Sequence, residues 1–375
     1  MTRDNNDPLL LTPGPLTTST ATKAVMGHDW GSRDEKFIAI NARVRARLLD
    51  IAGAADSHVC VPLQGSGSFV VEATLGTLIP RDGKALILIN GAYGQRMAKM
   101  LDYMGRAYAT YETAEDTPPD PAEVERMLSE DAAIGHVLAV HCETTSGILN
   151  PIAEIAEVVA RQGRGLIIDA MSAFGAIPLN AREVAFDAVM ASSNKCLEGV
   201  PGMGFAIIRR AVLEGAAGNA HSLSLDLHDQ WTAMEKNAQW RFTPPTHVIA
   251  AFDSAIDQFE QAGGVAGRNA RYSDNGKILI DGMRGLGFET LLQDDLQAPI
   301  IVTFNMPADP AFEFARFYDA LKDKVFVIYP GKLTVAESFR IGCIGDLHAD
   351  DMRAALAAIE ATLGEMGVES GAPVN

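Results

Sequence analysis

Residues 166–195 read LIIDAMSAFGAIPLNAREVAFDAVMASSNK. Two short apolar runs stand in this stretch, Leu166–Asp169 and Ala188–Ala191. The first ends on an acid; the second runs into Ser192-Ser193-Asn194-Lys195. Short apolar runs bounded by polar signals read as buried strands. Residues 170–187 are long enough for one crossover, expected here as a helix, which makes a strand-helix-strand unit. That unit brings Asp169 and Lys195 to the ends of adjacent strands.

The same pattern continues on both sides. Apolar runs at His58–Pro62, Ala85–Asn90, Arg106–Tyr111, Val137–Cys142 and Phe205–Arg209 complete a set of seven. Between them lie helix-period stretches at Phe69–Ile79, Gln95–Met104, Pro121–Glu130 and Ile152–Gln162. Such alternation predicts an α/β fold with a mostly parallel sheet covered on both faces. Later the character changes. A helical stretch at His247–Ala262 leads into Val265–Leu286, followed by apolar runs Ala298–Phe304, Val325–Tyr329 and Ser338–Cys343 and a helix at Asp346–Leu363. This is the signature of a smaller C-terminal α+β domain. The 375 residues, at roughly 150 per domain, divide into a large domain of residues 16–255 and a small one of 256–375, after an N-terminal segment of 1–15.

Bulk composition narrows the function. The net charge is −17, from 48 acidic against 31 basic side chains. Nucleic acid is repelled by such a surface unless a basic patch exists, and none is visible. Arg43, Arg45 and Arg47 splay around one amphipathic helix and read as a solvated or interface face. The four cysteines, Cys60, Cys142, Cys196 and Cys343, form no CxxC pair and no metal-ligand spacing, so no metal is expected and a reducing, cytoplasmic setting is. The start, MTRDNNDP, lacks an apolar signal core, and no apolar run is long enough for a membrane span.

In open α/β sheets ligands bind outside the carboxyl ends of the strands. Four polar clusters lie there. Gly65-Ser66-Gly67-Ser68 is either an ordinary strand-to-helix turn or a phosphate cradle in which backbone amides approach an anion. It matches neither the Walker A loop nor the dinucleotide GxGxxG pattern, since Val70 stands where the third glycine belongs. Asp169 is either a helix cap or a carboxylate that keeps a heterocyclic nitrogen protonated. Lys195 is either an exposed lysine or an amine made nucleophilic by burial. The fourth cluster, Glu143-Thr144-Thr145-Ser146-Gly147, follows the run Val137–Cys142. Further on, in Ser338–Cys343, Phe339, Ile341 and Cys343 share one strand face and Arg340 points the other way, beside Gly342. A guanidinium there is a surface side chain or a planar clamp for an anion.

These residues sit in segments that resemble the class V aminotransferases, pyridoxal 5'-phosphate (PLP) enzymes of fold type I. The segments are LLLTPGPLTTS (Leu9–Ser19), HDWGSRDEKF (His28–Phe37), QGSGSF (Gln64–Phe69), HCETTSGILNPI (His141–Ile152), IIDAMSAFGAIP (Ile167–Pro178), SSNKCLEGVPGMGF (Ser192–Phe205), FTPPTH (Phe242–His247) and FRIGCIG (Phe339–Gly345). They cover nearly the whole chain in the family's order. The resemblance implies a large PLP-binding domain with a seven-stranded sheet. It makes Lys195 the Schiff-base lysine and general acid/base, and Asp169 the partner of the pyridine nitrogen. Ser66, Gly67, Ser68 and Ser193 are implied to hold the phosphate, and Tyr93 to stack on the ring. Thr144 or Thr145 contacts the ring oxygen or orients Asp169. Thr243 reaches the phosphate in the partner subunit, which implies a homodimer with shared sites. Arg340 becomes the substrate anion clamp, with Gly14, in Pro13-Gly14-Pro15, forming a backbone wall. Ser32 and Arg33 are further donor candidates.

HDWGSRD, NKCLEGVPG and FTPPTH carry a closer resemblance within the class. It implies transamination of 2-aminoethylphosphonate with pyruvate, giving phosphonoacetaldehyde and L-alanine. The alternative is alanine–glyoxylate or serine–pyruvate transamination, in which the donor carries a carboxylate. A cysteine desulfurase needs a reactive thiol on a mobile loop, and Cys343 lies in an apolar strand pattern.

Overall fold

The computed structural model describes residues 7–331 and 334–373. Residues 1–6 of the expected N-terminal segment, and 332–333 and 374–375 of the expected small domain, lie outside the described residues.

One sheet dominates. Its strands are β1 (His58–Gly65), β2 (Lys84–Ile89), β3 (Ala107–Glu112), β4 (Ile134–Val140), β5 (Gly165–Asp169), β6 (Ala188–Ser192) and β7 (Gly202–Arg209). They lie in the order β1-β7-β6-β5-β4-β2-β3, seven strands in all. β7 runs antiparallel to both neighbours, and every other pairing is parallel. The remaining six strands therefore point one way, and their carboxyl ends share one edge.

Alternating side chains divide this sheet into two faces. Leu166, Ile168, Val189 and Ala191 join a cluster with α1 (Glu35–Ile51), α5 (Ile152–Arg161) and α6 (Thr246–Gln261). Ile167 and Met190 face the other way, toward α2 (Gly67–Leu78) and α3 (Ala92–Met104). Helix α4 (Pro121–Glu130) packs on α5. Parity then decides the site: Asp169 follows Ile167 by two positions and Ser192 follows Met190 by two, so both point to the α2/α3 side.

The crossover between β5 and β6 corrects the expectation of a helix. Residues 170–187 form turns with no α-helix. Gly175 adopts φ +89, where a β-carbon would also lie 2.7 Å from Leu197, and Pro178 soon follows; a helix interior accommodates neither. Phe174, Ile177 and Leu179 are still buried, so the turns pack as a helix would have done.

Helix α7 (Gly264–Gly285) leads to a second layer. Strands β8 (Ile301–Asn305), β9 (Tyr329–Pro330) and β10 (Ser338–Gly342) make an antiparallel sheet ordered β8-β10-β9. With α8 (Phe314–Asp323) and α9 (Ala349–Met366) they enclose Phe288, Phe304, Phe317 and Phe339. The expected run Val325–Tyr329 splits in two: Phe326–Val327 pairs parallel with Leu9–Leu10, and Tyr329 belongs to β9. That pairing ties the N-terminal segment to the second layer, from which it crosses to the main sheet's edge.

Arg43 is exposed and Arg47 partly buried. Both pair with Asp253 of α6, and Arg47 also meets Asp257 and Glu260. They clamp α1 to α6 above the shared apolar cluster. All four cysteines are free and buried. No helix among the described residues is long and apolar enough to cross a membrane.

Candidate active site

A cavity of about 440 Å³ opens at the carboxyl edge of the sheet, between β1, β5 and β6. One wall is the turn from β1 into α2. Gly65 has φ +119, and Ser66 caps α2 without using its hydroxyl for a cap bond. A β-carbon at Gly67 would lie 2.6 Å from the sulfur of Met171, so a larger residue there requires that side chain to move. The first amides of a helix have no partner within it, and with the helix dipole they favour an anion.

Asp169 ends β5 on the opposite wall. It is buried, and its Oδ1 accepts the Met171 amide at 3.0 Å. Burial pushes its pKa up to about 6, against the pull of that amide and of the Arg96 and Lys195 charges. Lys195 lies beyond β6, its Nζ donating to the carbonyl of Pro13 at 2.6 Å. Burial pushes this amine down to about 8, opposed by the neighbouring Cys196 and Asp169. The two side chains share the cavity without pairing with each other. Gly14 completes the enclosure: at φ +116, a β-carbon there would meet the Lys195 Nζ at 2.6 Å.

Tyr93 lines the cavity from the first turn of α3. Buried Glu143 holds that turn, accepting the Tyr93 amide at 3.1 Å. It also accepts the amide of Thr145 at 3.0 Å and its hydroxyl at 2.7 Å. Thr145 Oγ1 in turn accepts the Ala92 amide at 2.9 Å. Thr144 and Thr145 are both buried and lie off the cavity wall.

Arg340 takes the direction that alternation predicts. Phe339 and Ile341 enter the apolar cluster of the second layer, while Arg340 turns toward the main domain. Its guanidinium donates to the carbonyls of Thr144 at 2.6 Å and Pro330 at 2.9 Å, and stacks over Tyr329. It is buried, its Nε has no partner, and no carboxylate among the described residues pairs with it. It stands behind the cavity wall rather than on it.

Other expected residues are more dispersed. Ser193 faces away from the cavity, its hydroxyl donating to the carbonyls of Val200 at 2.6 Å and Met203 at 3.2 Å. Thr243 is exposed in the segment before α6. Arg33 is exposed and Ser32 partly so, and neither lines the cavity. Three residues to which the sequence assigned no role do contribute. Ser192 lines the cavity with a buried, unpartnered hydroxyl. Glu143 props Tyr93, and its position between a strand end and a threonine pair was its only signal. Arg96 enters the cavity from α3, and nothing in its flanking sequence marks it.

Residues 19–323 match the family described as aminotransferase class-V. The chain belongs to this family. Among class V aminotransferases it is 57% identical to the 2-aminoethylphosphonate–pyruvate transaminase of Pseudomonas putida, over 97% of this chain and 99% of that one. It is 56% identical to the protein of the same name from Pseudomonas aeruginosa, over 96% and 97% of the two chains. Solved structures agree on the fold. The ureidoglycine–glyoxylate aminotransferase of Bacillus subtilis superposes with a TM-score of 0.89 at 21% identity, over 99% of this chain and 96% of its own. The pyridoxamine–pyruvate aminotransferase of Mesorhizobium loti gives 0.88 at 24%, over 98% and 96%.

Proposed function

We propose that this protein is a PLP-dependent aminotransferase that moves the amino group of 2-aminoethylphosphonate to pyruvate, producing phosphonoacetaldehyde and L-alanine. One observation carries the reaction type: a buried amine and a buried carboxylate, Lys195 and Asp169, share a cavity without pairing, with a glycine-serine helix start on its wall. The choice of donor rests on the names of relatives 56–57% identical over nearly full length.

The residues fit the cofactor. The α2 amides with Ser66, Gly67 and Ser68 suit a phosphate, Tyr93 offers a ring face, and Ser192 has a free hydroxyl. When bound, the cofactor supplies an aldehyde that condenses with amines and a ring that takes up electron density. Asp169 then finds a cationic partner, which holds its carboxylate ionised and keeps the proton on the ring nitrogen. Lys195, with its pKa at about 8, is partly neutral near pH 8 and serves as the attaching amine. Its Nζ would also take the proton from the donor carbon and return it. The Gly14 backbone confines that amine. Arg340 supplies a planar fork for the phosphonate of the donor and the carboxylate of pyruvate in turn. A buried guanidinium without a carboxylate is costly until an anion meets it. Thr145 braces the cofactor side through Glu143 and the first turn of α3, and the Thr144 carbonyl accepts from Arg340.

The same reading includes a cytoplasmic homodimer. Phe69 beside the phosphate cradle and Phe242 beside Thr243 are 52% and 44% exposed. A partner subunit covers such apolar groups, and Thr243 then reaches the neighbouring phosphate. Ser193 supports the lysine loop, and Ser32 and Arg33 stand as outer donors. The reading keeps a large and a small domain with the division near residue 255, inside α6, whose Ile256 and Phe259 belong to the main-sheet cluster.

The test is a donor comparison. Purified protein, PLP and pyruvate are mixed with 2-aminoethylphosphonate or serine, and alanine is measured. The phosphonate should give the higher kcat/KM; preference for serine overturns the assignment of donor.

A further inference from the structure

Arg96 reaches the cavity from α3. It is the fifth residue of α3, and helical side chains lean toward the helix N-terminus. Its guanidinium accordingly lies over the Tyr93 ring, 4.8 Å from the centroid. From there Nη1 donates to Ser68 Oγ at 3.2 Å. No carboxylate among the described residues forms an ion pair with it. The group thus sits close to the amino ends of two helices, α2 and α3, whose dipoles are positive there. Glu143 already meets the α3 end, while the free amides at Gly67 and Ser68 leave partial positive charge at the α2 end. A dianion entering between those amides and the exposed guanidinium is met by both. A phosphate has three terminal oxygens, enough for the helix amides and a guanidinium together.

We infer that Arg96 is a phosphate-binding residue: its guanidinium neutralises the cofactor's phosphate from the α3 side, opposite the α2 amides. The inference rests on the PLP reading above and adds a charge to a cradle otherwise made of hydroxyls and amides. It also gives Ser68 a second role, since its hydroxyl orients the guanidinium. Tyr93 and Arg96 then work as one unit, one turn of helix presenting a ring face and a cation to neighbouring parts of one molecule.

The test uses the full chain, stripped of cofactor and reloaded with either PLP or pyridoxal, which lacks the phosphate. Arg96→Ala should weaken PLP about 10- to 100-fold, as expected for loss of one charge-assisted bond. Pyridoxal should bind wild type and variant alike, and Arg96→Lys should recover part of the loss. Phosphorus NMR of the loaded protein supplies a second readout. The bound phosphate should stay dianionic to lower pH in wild type than in Arg96→Ala. Equal loss of PLP and pyridoxal overturns the inference, because the effect is then structural. Unchanged PLP affinity overturns it too; if the KM for 2-aminoethylphosphonate then rises, the guanidinium serves the substrate's phosphonate instead. Failure of the PLP reading looks different, since wild type itself then takes up no PLP.

Discussion

The Nζ of Lys195 donates to the carbonyl of Pro13 at 2.6 Å, so the N-terminal segment closes directly over the amine. Cofactor attachment must break this bond. Borohydride treatment of the loaded protein should fix the cofactor on Lys195, and Lys195→Ala should abolish the labelled peptide. Attachment should speed up as pH rises through about 8, where burial has placed the amine's pKa, because only the neutral form attacks. Label on another lysine contradicts the assignment.

Asp169→Asn keeps the shape of the β5 end and the bond from Met171 but removes the charge. The cofactor should still bind. The half-reaction with the amino donor should slow by at least roughly 100-fold, equal to about 2.7 kcal/mol. Stopped-flow absorbance of the loaded variant measures this, and near-normal turnover contradicts an electronic role for Asp169.

Arg340→Ala should damage the donor and pyruvate half-reactions together, since both anions use one fork. Removing one partner of a buried charge pair costs about 2–5 kcal/mol, or very roughly 30- to 5,000-fold in kcat/KM. Arg340→Lys should restore only part, as an ammonium lacks the two-pronged geometry. Intact kinetics for both substrates in Arg340→Ala rule out the clamp.

Sedimentation should show an active species of twice the chain mass. Thr243→Ala should raise the concentration of PLP needed for half-saturation, while the mass stays dimeric. A fully active monomer contradicts sites shared between subunits.

His141 predicts an acid limit to stability. It follows β4, is buried with Nδ1 unpartnered, and burial pushes its pKa down to about 4. The folded-state pKa lies below the unfolded one, so this contribution is intact above about pH 6.5 and is lost as pH falls toward 4. By pH 5 the loss amounts to about 2 kcal/mol. Urea midpoints at pH 7 and pH 5 should differ less in His141→Gln than in wild type; equal differences contradict the assignment.

The core of the site was readable because it depends on strand ends. An acid after Leu166-Ile167-Ile168, a lysine after Ala188–Ala191 and a glycine-serine turn after β1 all mark the carboxyl edge of a parallel sheet. The missing helix between Asp169 and Lys195 had a visible signal in Gly175 and Pro178. Glu143 had only its place beside a strand end and Arg96 had none: what they touch is set by the packing of α3 against the loop after β4 and against α2.

The strands Ser338–Gly342 and Ala188–Ser192 separate the two kinds of information. In the first, apolar and other residues alternate, because one face packs on Phe304 and Phe317 and the other meets the Thr144 carbonyl. Sequence by itself therefore determined that Arg340 points away from the apolar core. In the second, both faces are buried, and an unbroken apolar run carries no phase. Only the tertiary structure decided that Ser192 enters the cavity and Ser193 turns its back on it. A shift of one residue exchanges the two faces of a strand, and what prevents that shift is register against β5 and β7, a property of the folded sheet rather than of the run itself.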